Sequence, residues 1–414
     1  MSQYYRDFGG IEMKKIIAII LLFATITSTF TGVVFASEDD IYQDSETNSE
    51  AESEDMLVSM EDLSAKSAIL MDALTGTVLY SKDADLKLPP ASVTKIMTLL
   101  LVAEAIARGD VSLEENVSVS EYAAGMGGSQ IFIKEGEEFT VEELLKSTVI
   151  ASANDAAVAL AELVSGSESL FVDEMNKRAK ELGMKDTTFE NVTGLDDTTE
   201  NHLTSAYDIA LMSSELIKHD IILKYSNLWQ SSIRDGEFIL TNTNRLVRYY
   251  SGCTGLKTGS TDKAGFCISA TAQRNGLSLI AVIMGAPTRD ARNNDARMLL
   301  DYGFANYALY SEPETDIEDV PVKRGESEDV KVYSKPFKIL VKKSDLPKIE
   351  KTYSIPESIS APFENDSKIG EITYTIGGAE IGKCDICTRG GVDSLDYVDI
   401  LWRIMQAMLV GKSI

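Results

Sequence analysis

The sequence predicts a large α+β domain, followed by a small all-β sandwich and a single amphipathic helix. Three features carry that expectation. Strand-like segments lie at both ends of residues 62–310 and bracket a helical middle. Residues 315–390 break into short alternating stretches, and Leu395 to Leu409 repeat their polar positions every three or four residues. A chain of 414 residues is also about two to three times a typical domain, so more than one folded unit is expected.

Ala68 to Asp72 and Thr77 to Ser81 flank a Leu74-Thr75-Gly76 turn and read as a hairpin. Pro89 and Pro90 stop extended structure. Ser92 then opens a helical pattern, with Val93, Ile96, Met97 and Leu100 on its apolar face and an end near Gly109. Residues 140–164 read as further helix, with Thr140 as cap and Glu143 completing a capping box. Glu168 to Leu182, closed by Gly183, and Tyr207 to Ile217 make two more. Gly265 to Thr271 and Leu277 to Met284 are consecutive strands joined at Gln273-Arg274-Asn275-Gly276, and Arg292 to Tyr307 returns to helix. Strands this far apart in sequence predict a sheet assembled from both ends of the region, with helices packed around it. Val330 to Tyr333, Lys338 to Val341 and Ile372 to Ile376 are strands of the β-sandwich.

The chain ends set the compartment. Lys14 and Lys15 precede an apolar run from Ile16 to Ala36, and Val34-Phe35-Ala36 ends it with a small-residue pattern. This reads as a secretory signal cleaved near Ser37, or alternatively as an uncleaved anchor; both export the remainder. Residues 1–12 lack signal character, and Met13 makes a more ordinary start. Between Glu38 and Asp55 there are nine acids and no bases, so residues 37–60 read as a disordered acidic spacer. The expected organisation is therefore a signal over 1–36, the spacer over 37–60, a catalytic domain over 61–311, the β-sandwich over 312–391 and the helix over 392–414. In that last helix Asp396, Asp399, Arg403 and Gln406 oppose Val398, Leu401, Trp402, Met405 and Met408. It is too polar to span a bilayer, and either lies in a membrane surface or docks on its own domain.

Composition narrows the chemistry. Lys plus Arg number 39 against 65 acids, a formal charge of −26 that argues against nucleic acid as partner. Only His202 and His219 are present, so a three-histidine metal centre is excluded, and a Ser-His-Asp triad would have to use one of the two. Proton chemistry is expected to run on another residue type.

Ser92-Val93-Thr94-Lys95 supplies one. Residues three apart share a helix face, so the Lys95 amine can approach the Ser92 hydroxyl. A serine needs a base to attack a carbonyl, and a buried lysine with positive neighbours can be that base. Alone, this spacing also fits a capping serine beside an exposed lysine. Two further segments sharpen it. Ser152-Ala153-Asn154 falls inside the helical stretch 140–164, where a local break lets its side chains reach a cleft. Lys257-Thr258-Gly259 opens the strand region, and Gly259 permits close approach of another backbone or a ligand.

Taken together, these segments resemble the active-site motifs of penicillin-recognising serine enzymes. The wider chain is similar to the low-molecular-weight penicillin-binding proteins that act as serine-type D-alanyl-D-alanine carboxypeptidases in Gram-positive, spore-forming bacteria. The likeness includes Pro90 to Thr98, Ser152 to Ala157, Gly194-Leu195-Asp196, Gly255 to Gly259, the β-rich domain and the terminal helix. It implies a transpeptidase-like fold, an antiparallel sheet with helices on both sides and a helical subdomain. It also implies roles. Ser92 would attack the carbonyl between the two terminal D-alanines of a peptidoglycan stem peptide, and Lys95 would take its proton. Ser152 and Asn154 would relay protons and hold the substrate amide, and Lys257 would keep Lys95 partly neutral. The backbone amides of Ser92 and Ser260 would form the oxyanion hole, and Thr258, Gly259 and Arg292 would line the site for the terminal carboxylate, with Arg289 as competitor to Arg292. No metal and no cofactor is implied. The partners would be the stem peptide, β-lactams as covalent inhibitors and a membrane surface met through residues 392–414, at the outer face of the cytoplasmic membrane with a secreted fraction.

Other functions share parts of this pattern. A β-lactamase would carry the same three motifs without the β-domain and terminal helix. An endopeptidase or transpeptidase would use the same acyl-enzyme, and a non-catalytic wall-binding protein would keep the fold alone. His202, in an irregular Asp197 to Leu203 loop, is expected to be structural. Cys253 and Cys267 could form a disulfide across neighbouring strands or remain free thiols. Cys384 and Cys387 have the spacing of a weak metal site, with core packing or a local disulfide as the plainer readings.

Overall fold

A computed structural model describes residues 63–197 and 199–410. The expected signal over 1–36, its alternative start at Met13, the acidic spacer over 37–60 and the final residues 411–414 lie outside the described residues.

Five strands build the central sheet: β1 (Ser67–Asp72), β2 (Val78–Lys82), β3 (Cys253–Thr261), β4 (Gly265–Arg274) and β5 (Leu277–Ala286). Their order is β2-β1-β5-β4-β3, and every pairing is antiparallel. The N-terminal hairpin meets the later three-stranded meander where β1 pairs β5, with Ile69 opposite Val282. All six residues of β1 are buried, as its Ala-Ile-Leu-Met run requires of a strand covered on both faces. Local chemistry sets both tight turns. Asp72 Oδ2 accepts from the Thr75 amide at 2.8 Å and its hydroxyl at 2.6 Å in the first. Asn275 and Gly276 both take positive φ in the second, as a two-residue hairpin turn demands.

Alternation along the strands sends side chains to two helical layers. Ile69, Met71, Ile280 and Val282 join the core shared with α1 (Lys95–Arg108), α2 (Val141–Ile150), α3 (Asn154–Ser165), α4 (Glu168–Glu181) and α5 (Ala206–Leu216). Leu70 and Leu279 face the other way, against α6 (Arg289–Asn306), where a Cβ on Gly303 would come within 2.5 Å of Leu279 Cδ1. That glycine lets the helix lie close on the sheet. Helix α6 begins three residues before the expected Arg292, because the Thr288 side chain caps it by accepting from the Ala291 amide. The expected capping box at Thr140 and Glu143 is present. The helix expected over 140–164 divides at Ala151–Ala153 into α2 and α3, which is the break that the Ser152 motif called for.

Beyond α6 the strands form a second core around Val320, Val330, Val332, Ile372, Tyr374 and Ile386. A six-stranded sheet carries it, and the two-stranded pairing of Tyr307–Glu312 with Phe337–Lys342 covers it. Phe337 from the small sheet stacks on Tyr374 from the large one, ring centroids 4.0 Å apart. This is the sandwich-like arrangement expected. Helix α7 (Tyr397–Val410) follows, with the Asp396 side chain accepting from the Asp399 amide at its start.

The described cysteines are all free thiols. Register explains why the Cys253–Cys267 disulfide does not form: Cys253 lies opposite Ala272, whereas Cys267 lies opposite Gly259 near the other end of the strand pair. Cys384 and Cys387 are three apart on one strand, so they point to opposite faces and cannot bridge or share a metal. Core packing is what Cys384 does.

Candidate active site

The site begins with a backbone device. After Pro89 and Pro90, residues Ala91–Thr94 make a tight 3-10 turn, and α1 starts at Lys95. Ala91 holds φ of 49°, a left-handed conformation that a non-glycine residue adopts only when its surroundings enforce it. The turn presents half-buried Ser92 to the cleft. Lys95, one turn later, is fully buried, with Nζ 3.0 Å from Ser92 Oγ.

The break between α2 and α3 supplies the second wall. Ser152 sits at φ of 63°, and Asn154 is the first residue of α3. Asn154 Oδ1 accepts from Lys95 Nζ at 2.5 Å, and Asn154 Nδ2 donates to the Gly127 carbonyl at 2.6 Å. Thr193, on the loop after α4, offers its carbonyl to Lys95 Nζ at 2.9 Å. Strand β3 is the third wall. Lys257 Nζ donates to Ser152 Oγ at 2.7 Å and to the Thr258 carbonyl at 2.9 Å. Thr258 Oγ1 donates to Thr243 Oγ1 at 2.8 Å, and Ser260 is exposed at the strand's outer end. A Cβ on Gly259 would lie 2.8 Å from the Ser92 amide nitrogen, so only glycine lets β3 run this close beneath the Ser92 turn.

Arg292 is buried behind β4. Its Nη1 reaches the carbonyl of Cys267, the residue opposite Gly259, and its Nε and Nη2 donate to Asn293 Oδ1 at 3.1 and 2.9 Å. Arg289 is exposed. Of the two candidate arginines, Arg292 is therefore the one set beside the Lys257 strand.

Burial, and then the charge of Lys257, holds the Lys95 amine well below the usual lysine range; the Asp155 carboxylate pulls weakly the other way. Lys257 is itself lowered to about 7 by burial and by Arg292. Arg292 is lowered to about 10 by burial and by Arg289. Each buried cation weakens the proton hold of the next, ending at Lys95.

A neutral lysine has two N–H groups and one lone pair. The Asn154 and Thr193 oxygens take the two protons, which leaves the lone pair for the Ser92 hydroxyl. The arrangement can therefore activate a serine without histidine or metal. Among the described residues no group of three or more His, Cys, Asp or Glu side chains is placed to hold a metal ion.

Residues 53–288 match the family described as D-alanyl-D-alanine carboxypeptidase, and residues 304–394 match the C-terminal domain of penicillin-binding protein 5. The chain belongs to the D-alanyl-D-alanine carboxypeptidase family. One relative, D-alanyl-D-alanine carboxypeptidase DacF of Bacillus subtilis, is 39% identical over 401 residues, covering 95% of this chain and 98% of the relative. The crystal structure of penicillin binding protein 5 from Haemophilus influenzae superposes with a TM-score of 0.66 at 29% identity, covering 80% of this chain and 98% of that one. Penicillin-binding protein D2 from Listeria monocytogenes, solved in its ampicillin-bound form, is 34% identical with a TM-score of 0.54, covering 59% and 98%.

For this member of the family, the structure brings Ser92, Lys95, Ser152, Asn154, Lys257, Thr258 and Gly259 into one cleft, with Ser260 at its rim and Arg292 behind it. Sequence reasoning missed the Thr193 carbonyl, Thr243 and Asp155. A backbone acceptor carries no side-chain signal. Asp155 left one, as an acid beside Asn154: its carboxylate accepts from the Ile131 and Ala156 amides at 3.0 and 2.9 Å and braces the loop that Asn154 contacts.

Proposed function

We propose that this chain is a serine D-alanyl-D-alanine carboxypeptidase that releases the terminal D-alanine of peptidoglycan stem pentapeptides through an acyl-enzyme on Ser92. One observation carries the reading: Lys95 Nζ lies 3.0 Å from Ser92 Oγ with its other two positions occupied by acceptors. Lys95 takes the Ser92 proton as Oγ bonds the carbonyl carbon between the two D-alanines. The oxyanion that develops is met by the Ser92 and Ser260 amides. When the C–N bond breaks, the leaving nitrogen receives, through the Ser152 hydroxyl that Lys257 holds at 2.7 Å, the proton that Lys95 took from Ser92, which returns Lys95 to its neutral form. D-alanine departs, and water attacks the ester to regenerate Ser92.

Specificity for a chain end follows from charge. Lys257 and Arg292, with the Thr258 hydroxyl, make a cationic surround for the terminal carboxylate; an internal peptide bond leaves that charge unpaired. A β-lactam offers Ser92 a similar carbonyl and is held covalently as the acyl-enzyme. The expected test is direct. Ser92→Ala should release no D-alanine from a purified pentapeptide while keeping its fold, and release at the wild-type rate would end this reading.

The chain is read as exported, with residues 392–414 resting on the outer face of the cytoplasmic membrane. In α7, Tyr397, Val398, Leu401, Trp402 and Met408 expose half or more of their surface, an apolar face suited to a bilayer surface. Deleting residues 392–414 should shift the processed protein from the membrane to the soluble fraction. Full retention on the membrane would count against it.

A further inference from the structure

His202 holds a place the proposed reaction does not use. It is 4% exposed, and its ring bridges two segments that meet around Lys95. The Glu190 amide donates to Nδ1 at 3.0 Å, so Nδ1 carries no proton and the neutral ring is protonated on Nε2. Nε2 lies 2.8 Å from Thr94 Oγ1, and that hydroxyl donates to the Ala91 carbonyl at 2.8 Å. The hydrogen bonds therefore run one way: Glu190 amide to His202, His202 to Thr94, Thr94 to Ala91. Burial lowers His202 to about 4, against the raising pull of Glu190 and Asp196, so the ring stays neutral and the direction holds at neutral pH. A charged ring would turn a second N–H against the Glu190 amide.

The two ends of this chain matter. Thr94 and Ala91 belong to the turn that carries Ser92, and Ala91 is the residue with left-handed φ. Glu190 opens the segment whose Val192 carbonyl accepts from Thr98 at 2.7 Å and whose Thr193 carbonyl accepts from Lys95. Gly194 closes the contact, since a Cβ there would lie 1.8 Å from the Ala91 oxygen. The Ser92 turn and the Lys95 acceptor are thus registered against each other through one imidazole.

We infer that His202 is a positioning residue for acylation, fixing the Ser92 turn against the Thr193 segment through Thr94. It touches neither Ser92 nor Lys95 and acts only through its two hydrogen bonds. The inference rests on Ser92 being the nucleophile.

Two part-isosteres separate the ends of the bridge. His202→Gln can place an amide N–H where Nε2 stands and keep the bond to Thr94. His202→Asn reaches only the Nδ1 position, keeping the Glu190 bond and abandoning Thr94. With full-length protein, the second-order rate of acylation by a fluorescent penicillin should fall about tenfold or more in His202→Asn and stay within about threefold in His202→Gln. Thermal midpoints measured alongside show whether each variant is folded, and the deficit in His202→Asn should appear in kcat for the pentapeptide with KM little changed. Thr94→Val, which cuts the same link from its other end, should repeat the His202→Asn loss, and it decides the matter if that variant does not fold. Equal losses in the Asn and Gln variants, or acylation at the wild-type rate in folded His202→Asn or Thr94→Val, would overturn the inference. If wild type itself is not labelled on Ser92, the nucleophile assignment has failed and this inference falls with it; if wild type is labelled and the variants do not separate, only this inference fails.

Discussion

Gly259→Ala offers a sharp perturbation, because a single methyl group is aimed at the nucleophile's own backbone. The new Cβ would stand 2.8 Å from the Ser92 nitrogen and 2.9 Å from both the Pro90 oxygen and the Val93 nitrogen. All three are main-chain atoms, so no rotamer change relieves the contact. Ordinary carbon contacts begin at 3.4 Å, so the turn and β3 must separate by about 0.6 Å, from 3.4 minus 2.8. Overpacking of this kind costs about 1–3 kcal/mol, and the stiffer unfolded chain offsets about 0.4–1 of it. A net loss of about 1–2 kcal/mol leaves a folded protein. The displacement acts more strongly on rate, since a misplacement near 1 Å costs about 100-fold; about 10- to 100-fold slower acylation is expected here. Penicillin acylation rates measured beside thermal midpoints would show both effects. A folded Gly259→Ala protein that acylates within about twofold of wild type would refute the idea that glycine is required by closeness to the Ser92 turn.

Other outcomes follow from the same geometry. With a pentapeptide, kcat/KM should rise as Lys95 loses its proton, at a pH well below the usual 10.5, and fall near 7 as Lys257 loses its charge. In kcat the falling limb should move to higher pH, because a bound carboxylate favours charged Lys257; a profile flat from pH 6 to 10 would contradict this. Arg292→Gln should reduce kcat/KM about 10- to 100-fold for a peptide with a free terminal carboxylate and much less for its amide, and equal losses would remove Arg292 from carboxylate recognition. Intact mass should be the same with and without reductant. Cys267, buried and with its thiol pushed up to about 11, should alkylate only on denaturation, and rapid alkylation of native protein at that residue would count against the packing described.

Much of this site was legible because its chemistry is carried by side chains in short local patterns. Ser92 and Lys95 are linked by helical spacing, and Lys257-Thr258-Gly259 by a strand. The break at Ala151–Ala153 was readable only through the motif, because Ser152 and Asn154 need a local interruption of the helix to reach a cleft. Tertiary placement was less legible. Thr193 contributes a carbonyl, which every residue possesses. The Cys253–Cys267 pairing failed because β3 and β4 are adjacent yet in a register that sets the two thiols near opposite ends. His202 read as structural, but only the fold shows that what it supports is the turn bearing Ser92.

The central claim is that Ser92, activated by Lys95, forms the acyl-enzyme. Its most direct test is to incubate the protein with a penicillin, digest it, and locate the adduct by peptide mass. The account predicts a single penicilloyl group on Ser92, its formation slowed by a D-alanyl-D-alanine peptide and lost in Ser92→Ala. An adduct on any other residue, or an undiminished adduct in Ser92→Ala, would contradict it.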